Sequence, residues 1–280
     1  MRKKIKLAFS DFWGGFEYNP TGKKNFDNVF YRILSERFDV EISSNPDFLI
    51  FSVFGQNHLN YRCSKIFYTG ENIRPDFNKC DYSISFDYMD DNRNIRFPLS
   101  AITLYENGIK ENFSSVDIDL VKKEKTKFCN FIFSNPNAQL RNYLFSELSK
   151  YKKIDSGGRV LNNIGHLVDD KLKFIGQYKF TISFENSEYP GYTTEKLVHP
   201  MLVNSIPIYW GNPVVIRDWN TKSFINAYDF KKISELIEFV KFVDSDDDAY
   251  SRMLEEPKFN SPKSKDLDYK TLLDFFEKLI

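Results

Sequence analysis

In the stretch FENSEYPGYTTEKL (residues 184–197) a lysine, Lys196, falls in the first turn of a predicted helix. The helix dipole already presents positive charge there, so a cation costs about 0.3–1 kcal/mol. With Thr193 as N-cap, Thr194, Glu195 and Lys196 fill the first three helical positions, where Glu195 is favourable and Lys196 is not. One reading extends Lys196 into water, where screening makes the penalty trivial. The other seats an anion at the helix start, held by free N–H groups and the ammonium together. Position alone favours the first. Arg141 supplies a second cation. Asn135-Pro136 reads as a cap and first helical position, which puts Arg141 further along that helix, off the Leu140/Leu144 face and exposed by default. Gly157-Gly158 would let backbone approach a ligand closely, or would simply turn the chain.

Three polar clusters each follow directly on a predicted strand: Gly70-Glu71-Asn72, Ser134-Asn135-Pro136-Asn137 and Glu185-Asn186. Ligands of open α/β sheets lie outside the carboxyl ends of the strands. If two such sheets face each other, all three clusters border one cleft. Two acidic pairs, Asp117-Ile118-Asp119 and Asp244-Ser245-Asp246, match the D-x-D pattern of metal-dependent sugar-nucleotide enzymes. Neither ends a clear strand and a three-residue pattern is weak, so solvated surface is expected. There is no P-loop, GxGxxG or GxSxG, so nothing points to an ATPase, a dinucleotide enzyme or an α/β-hydrolase.

The elements that must position these groups alternate between strand and helix. Ile5–Phe9, Asp47–Phe54 and Lys65–Thr69 read as strands, and Tyr82 to Tyr88 alternates as a half-exposed one. Phe26, Val29, Phe30, Ile33, Leu34 and Phe38 recur at helical spacing. After the lysine-rich stretch Val121–Lys127 the alternation restarts. A strand at Phe128–Phe133 precedes a helix with Leu140, Tyr143, Leu144 and Leu148 on one face; then come a strand at Phe180–Phe184, a helix at Thr194–Val203 and a strand at Ile206–Tyr209. Two further helices carry Ile233 to Val243 and Leu272 to Ile280. Strand–helix alternation on both sides of a charged connector predicts two α/β domains with mainly parallel sheets, residues 1–122 and 123–280, or a surface loop within one large sheet. The last helix is free to pack back on the N-terminal domain.

A chain of 280 residues with 41% apolar and 17% aromatic residues can build a sizeable core. Lys+Arg and Asp+Glu balance at 39 each, which argues against a general nucleic-acid binder. Cys63, Cys80 and Cys129 lack metal-type spacing, and His58, His166 and His199 form no ligand pair; a reduced, cytoplasmic protein is expected. The basic start MRKKIK is followed by too short an apolar stretch for a signal peptide, and no run reaches the ~18 residues of a membrane span. Peripheral attachment at the inner membrane is the variant of that expectation.

Taken in order, YTGEN (68–72), SNPNAQLRN (134–142), FENSEYPGYTTEKL (184–197) and IPIYWGNP (206–213) resemble the α-1,3/4-fucosyltransferases of glycosyltransferase family 10, particularly the bacterial ones. SDFWG (10–14) also looks like the family's N-terminal segment. The resemblance implies two Rossmann-like domains facing a cleft (GT-B type), acceptor mostly on the first and GDP-fucose on the second. It implies inverting transfer with no required metal. Glu71 matches the proposed general base. Arg141, Tyr192, Glu195 and Lys196 match donor-binding positions, the cations for the diphosphate and Glu195 for ribose hydroxyls; Ser134, Asn135, Gly157 and Asn186 would shape the same pocket. The implied partners are GDP-fucose and an oligosaccharide or glycolipid acceptor of Lewis-x or O-antigen type. A 1,4- or dual-specificity enzyme and a non-catalytic nucleotide- or glycan-binding protein are the alternatives. Some relatives carry heptad repeats and a basic amphipathic tail; the chain reaches Ile280 with neither, so those routes to dimers and membranes are not expected. Many animal members have Asp where Gly191 stands.

Overall fold

The computed structural model describes residues 2–14, 16 and 27–280; Phe26 of the first expected helix lies outside them. By internal contacts the chain divides into two compact units, residues 1–110 with 265–280, and residues 111–264.

The first unit runs β1 (Lys4–Ser10), α1 (Val29–Ser35), β2 (Asp39–Ile42), β3 (Phe48–Phe51), β4 (Ser64–Tyr68), β5 (Tyr82–Ser85), β6 (Asn94–Arg96) and α2 (Leu99–Glu106). Asn28 caps α1, its Oδ1 accepting from Tyr31 N, and Val29, Phe30, Ile33 and Leu34 turn inward. The strands form one parallel sheet in the order β2-β1-β3-β4-β5-β6. Leu7, Leu49, Ile50, Ile66 and Ile84 are fully buried in it, as near-continuous apolar runs in a parallel sheet require. The strand expected to be half exposed is instead interior. β5 lies between β4 and β6, and Ser83 and Ser85 are buried because Asn94 Oδ1 accepts both hydroxyls, at 2.7 and 2.8 Å. Alternation of polar and apolar residues there records satisfied serines, not solvent.

The second unit runs α3 (Ile118–Glu124), β7 (Lys127–Phe131), α4 (Gln139–Leu148), β8 (Ile154–Ser156), α5 (Lys171–Ile175), β9 (Tyr178–Phe184), α6 (Glu195–Leu202), β10 (Ile206–Trp210), β11 (Ile225–Asn226), α7 (Ile233–Ser245) and α8 (Asp247–Glu255). Its sheet is parallel too, in the order β11-β10-β9-β7-β8. The lysine-rich stretch read as a connector is the end of α3 running into β7. Val121 is buried, and the buried Lys125 ammonium donates to Gly176 O and Val203 O, just past the ends of α5 and α6. A cation between two helix C-termini is favourable, although burial lowers its pKa to about 8. A last helix, α9 (Lys270–Leu279), belongs to the first unit, with Phe276 against Phe48 and Phe275 against Tyr82. No described helix is long and apolar enough to cross a membrane.

Asp117 and Asp119 are exposed, as expected of solvated surface, but the second pair is not: Asp246 is half-buried and Asp244 buried. Asp117 and Asp246 are N-caps, accepting from Leu120 N and Ala249 N. Asp244 is buried, with Lys152 at 2.5 Å, Lys179 at 3.0 Å and the Tyr151 hydroxyl at 3.0 Å. Asp244→Asn removes the charge while two cations stay in place. It should destabilise the fold by about 2 kcal/mol, as breaking such a pair leaves uncompensated charge. Urea unfolding checks this; an unchanged midpoint would show that the lysines are solvated well enough to need no partner.

Candidate functional site

In the second sheet the strand order reverses beside β7: β8 lies on one side of it, and β9, β10 and β11 on the other. A crevice opens outside the carboxyl ends of β7 and β9 at such a reversal, and ligands of doubly wound sheets bind there. Arg141 spans that place. It is not exposed, as expected by default, but 1% exposed. The helix starts later than Asn135-Pro136 suggested. Asn135 Oδ1 instead accepts from Asn137 N in a turn, and α4 begins at Gln139. Arg141 then shares the buried face with Leu144 and Leu148, while Tyr143, expected on that face, points outward. Its guanidinium donates to Asn135 O (2.6 Å) beyond β7, and to Phe184 O (3.5 Å) and Asn186 Oδ1 (3.1 Å) at the end of β9. It lies 3.7 Å from the Phe133 ring centre. Burial lowers its pKa to about 10, against the pull of Glu185, so it is cationic at neutral pH. Ser134 and Asn186 are exposed beside it.

A second cluster forms where β9 leads towards α6. The cap is Thr194, not Thr193: its backbone is extended and its hydroxyl accepts from Lys196 N at 3.4 Å. Thr193 is buried and accepts from Asn212 Nδ2 at 3.0 Å. Lys196 does not extend into water. Its side chain is 15% exposed, and its ammonium lies 3.1 Å from Glu185 Oε2 and 3.6 Å from Glu195 Oε1. Burial works against the charge, but Glu185 and Glu195 outweigh it and hold the lysine's pKa well above the ordinary value. Burial likewise opposes ionisation of Glu195, yet Lys196, Lys171 and His199 bring its pKa down to about 2. His199, desolvated beside Lys171, is lowered to about 4 and is neutral at pH 7. Burial lowers the pKa of Lys171 and raises that of Glu185, while Lys196 and the Thr194 hydrogen bonds pull Glu185 back towards the carboxylate. The region thus gathers three basic groups, Arg141, Lys171 and Lys196, around two acids, Glu185 and Glu195.

The remaining candidates lie around these two clusters or in the other unit. Tyr192 is buried in the loop before α6, its carbonyl facing the Tyr209 hydroxyl at 3.4 Å. That loop turns at Gly191, whose φ of +89° is one that L side chains rarely adopt, and whose N–H donates to Asn212 Oδ1. Gly157 and Gly158 follow β8; a Cβ on Gly158 would overlap the Phe133 backbone, so the close approach they permit is to the chain itself. Glu71 belongs to the first unit, exposed in a turn after β4. Among the described residues no group of three His, Cys, Asp or Glu is placed to hold a metal ion. Residue reading passed over Lys171 and gave Glu185 no part of its own. A carboxylate directly after a buried strand run was the available signal for Glu185; Lys171, on a five-residue helix, had none.

Comparison with known proteins bears on this arrangement. Residues 7–105 match the alpha-(1,3)-fucosyltransferase FucT N-terminal domain, and residues 122–270 match the C-terminal model of glycosyltransferase family 10 (fucosyltransferase). An alpha-(1,3)-fucosyltransferase FucT of Helicobacter pylori is 34% identical over 99% of the chain. The chain spans 66% of that relative's length. A crystal structure of an alpha1,3-fucosyltransferase superposes with TM-score 0.84 at 30% identity, over 99% of this chain and 90% of that one. One with GDP-fucose gives 0.81 at 30% identity, over 100% and 91%. Two parallel sheets with flanking helices, matched this closely, make the architecture an α/β fold of GT-B type.

Proposed function

The chain belongs to glycosyltransferase family 10, and from that premise we propose that it moves L-fucose from GDP-fucose to the 3-OH of N-acetylglucosamine, or glucose, in a β-galactoside-containing glycan, with inversion and a Lewis-x-type product. The observation that carries the proposal is the pair of cationic clusters at the β7/β9 reversal, on the motifs that mark the family. A nucleoside diphosphate is the anion such a site suits, by charge and by its place beside a helix start.

In this reading the acceptor hydroxyl oxygen attacks fucose C1 as the bond from C1 to the phosphate oxygen breaks. Inversion needs a base on the face opposite the leaving group, and Glu71 takes the hydroxyl proton. GDP leaves without one, so positive charge suffices to stabilise it. Lys196 supplies that charge at the α6 start. Arg141 supplies it from behind Asn186, which is exposed and gives up Arg141 Nη1 to a phosphate oxygen when the donor arrives. Glu195 takes ribose hydroxyls, and Ser134, Asn135, Gly157 and Tyr192 shape the pocket. A cytoplasmic setting fits the three free cysteines.

The test is release of GDP from GDP-fucose with lactose, N-acetyllactosamine and its 1,3-linked isomer as acceptors. Release with the first two is expected. Release with the isomer alone would move the linkage to the 4-OH. GDP binding with no release on any acceptor would make the protein a binder that kept the fold.

A further inference from the structure

We propose that Glu185 is a positioning residue: its enclosed carboxylate, seated beneath Gly211, fixes the Lys196 ammonium at the start of α6 and so aims it at the donor's diphosphate. The inference rests on the GDP-fucose reading and adds to it a residue that touches no substrate.

Glu185 is 0% exposed and follows β9 directly. Its N–H donates to Trp210 O at 2.8 Å, which ties it to the end of β10. Its carboxylate accepts the Thr194 N–H at 2.8 Å and the Thr194 hydroxyl at 2.8 and 2.9 Å, with the Lys196 ammonium at 3.1 Å. One carboxylate thus organises the cap residue and the first-turn lysine together. Gly211, the next residue after β10, has φ +145°, and a Cβ there would overlap Cβ and Cγ of Glu185. The glycine of IPIYWG and the glutamate of FEN are therefore one device: the absent side chain at 211 is the space the carboxylate stem fills.

A buried acid beside a phosphate site repels the ligand, so it must do something that outweighs repulsion. Lys196 has four side-chain torsions and, without a fixed partner, would spread over rotamers. Glu185 removes that freedom before the donor arrives. It also offsets desolvation of the ammonium. The groups facing Lys196 are Glu185 after β9, Glu195 and His199 on α6, Lys171 on α5 and Tyr192 in the preceding loop; Arg141 on α4 and Tyr209 on β10 also face Glu185. Of these, Lys171 and burial disfavour the charged lysine. Without Glu185, only Glu195 remains, among the described residues, as a counter-charge in direct ion-pair range.

Calorimetric titration with GDP between pH 6.5 and 9 tests the proposal on the full chain and on Glu185→Gln, Glu185→Asp, Lys196→Met and the Gln/Met double variant. Glu185→Gln should weaken GDP binding by about tenfold at pH 7, and by more as pH rises, because the lysine then loses its proton earlier. Glu185→Asp should recover the wild-type pH profile, and in the Lys196→Met background Glu185→Gln should add less than about twofold. If Glu185→Gln binds GDP as tightly as wild type, or more tightly because only repulsion was removed, the proposal is overturned; additive losses in the double variant overturn it too. Should the Gln variants fail to fold, Gly211→Ala, whose Cβ would overlap the Glu185 stem and displace its carboxylate, takes their place: weaker GDP binding with a loss that grows as pH rises supports the proposal, and wild-type affinity and pH profile overturn it. Wild type that binds no GDP at any pH would instead remove the GDP-fucose reading.

Discussion

Glu71→Gln should lower kcat by about 10²–10⁴-fold while leaving GDP affinity within about twofold, the range expected when a general base is removed and binding is not. The carboxylate stands exposed in the turn after β4, and the turn itself is fixed without it. The Glu71 N–H donates to Thr69 Oγ1 at 3.1 Å, and Ile73 N donates to Glu71 O at 2.7 Å. Arg74 holds the next residue, with Nη1 to Asn72 Oδ1 at 2.9 Å, and is itself anchored by Asp87 at 3.1 Å and the Phe86 ring. Backbone and neighbours set the position of residue 71, so Gln reproduces the shape and loses only the ability to take a proton. The acid also lies outside the unit that carries Arg141 and Lys196, which is why binding of GDP should hardly notice. Steady-state kinetics and calorimetry together read the two halves of this prediction. Near-normal turnover would take the base away from Glu71; a large loss of GDP affinity would mean that it binds donor rather than acceptor.

The separation between what the sequence revealed and what it hid follows from physical range. Long strands with continuous apolar runs, such as Tyr178–Phe184, announce themselves because a parallel strand is buried on both faces. Elements of three to five residues, such as β6, β8 and α5, leave too few positions for a period to show. Motif order singled out the candidate site residues in the chain, yet their environments were not legible. Lys196 and Arg141 looked solvated because a cation's default is solvent. What overrides the default is a partner outside the residue's own helix: Glu185 for the lysine, the Asn135 and Phe184 carbonyls for the arginine. The same blindness made Asp244 look like surface, since Lys152 and Lys179 reach it from other elements. Cap positions erred by smaller amounts. Thr193 and Thr194 are chemically equivalent caps, and partners from other elements, Asn212 on the Thr193 hydroxyl and Glu185 on the Thr194 N–H and hydroxyl, decide which one starts α6.

Arg141→Lys keeps the charge and should still weaken GDP binding by about 10²-fold, with a loss of about 1–2 kcal/mol in stability. The guanidinium is planar and forked, and each arm has work that a point charge cannot share. Nη2 holds the Asn135 carbonyl beyond β7, while Nη1 reaches Phe184 O and Asn186 Oδ1 beyond β9. A lysine is shorter, has one donor group, and would satisfy one side of the crevice and abandon the other. On the β9 side, where Phe184 is 0% exposed, an abandoned carbonyl has no water to turn to. The walls of the proposed diphosphate site would then lose the strut that sets their separation, and the remaining cation would be aimed at one wall rather than between both. Charge alone predicts the opposite: because burial holds the arginine's pKa near 10 and it is already cationic at pH 7, an ammonium in the same place would serve equally. Wild-type GDP affinity in Arg141→Lys would therefore settle for charge and against the fork. A loss confined to stability would leave Arg141 as a strut for the sheet ends, with Lys196 carrying the phosphate by itself.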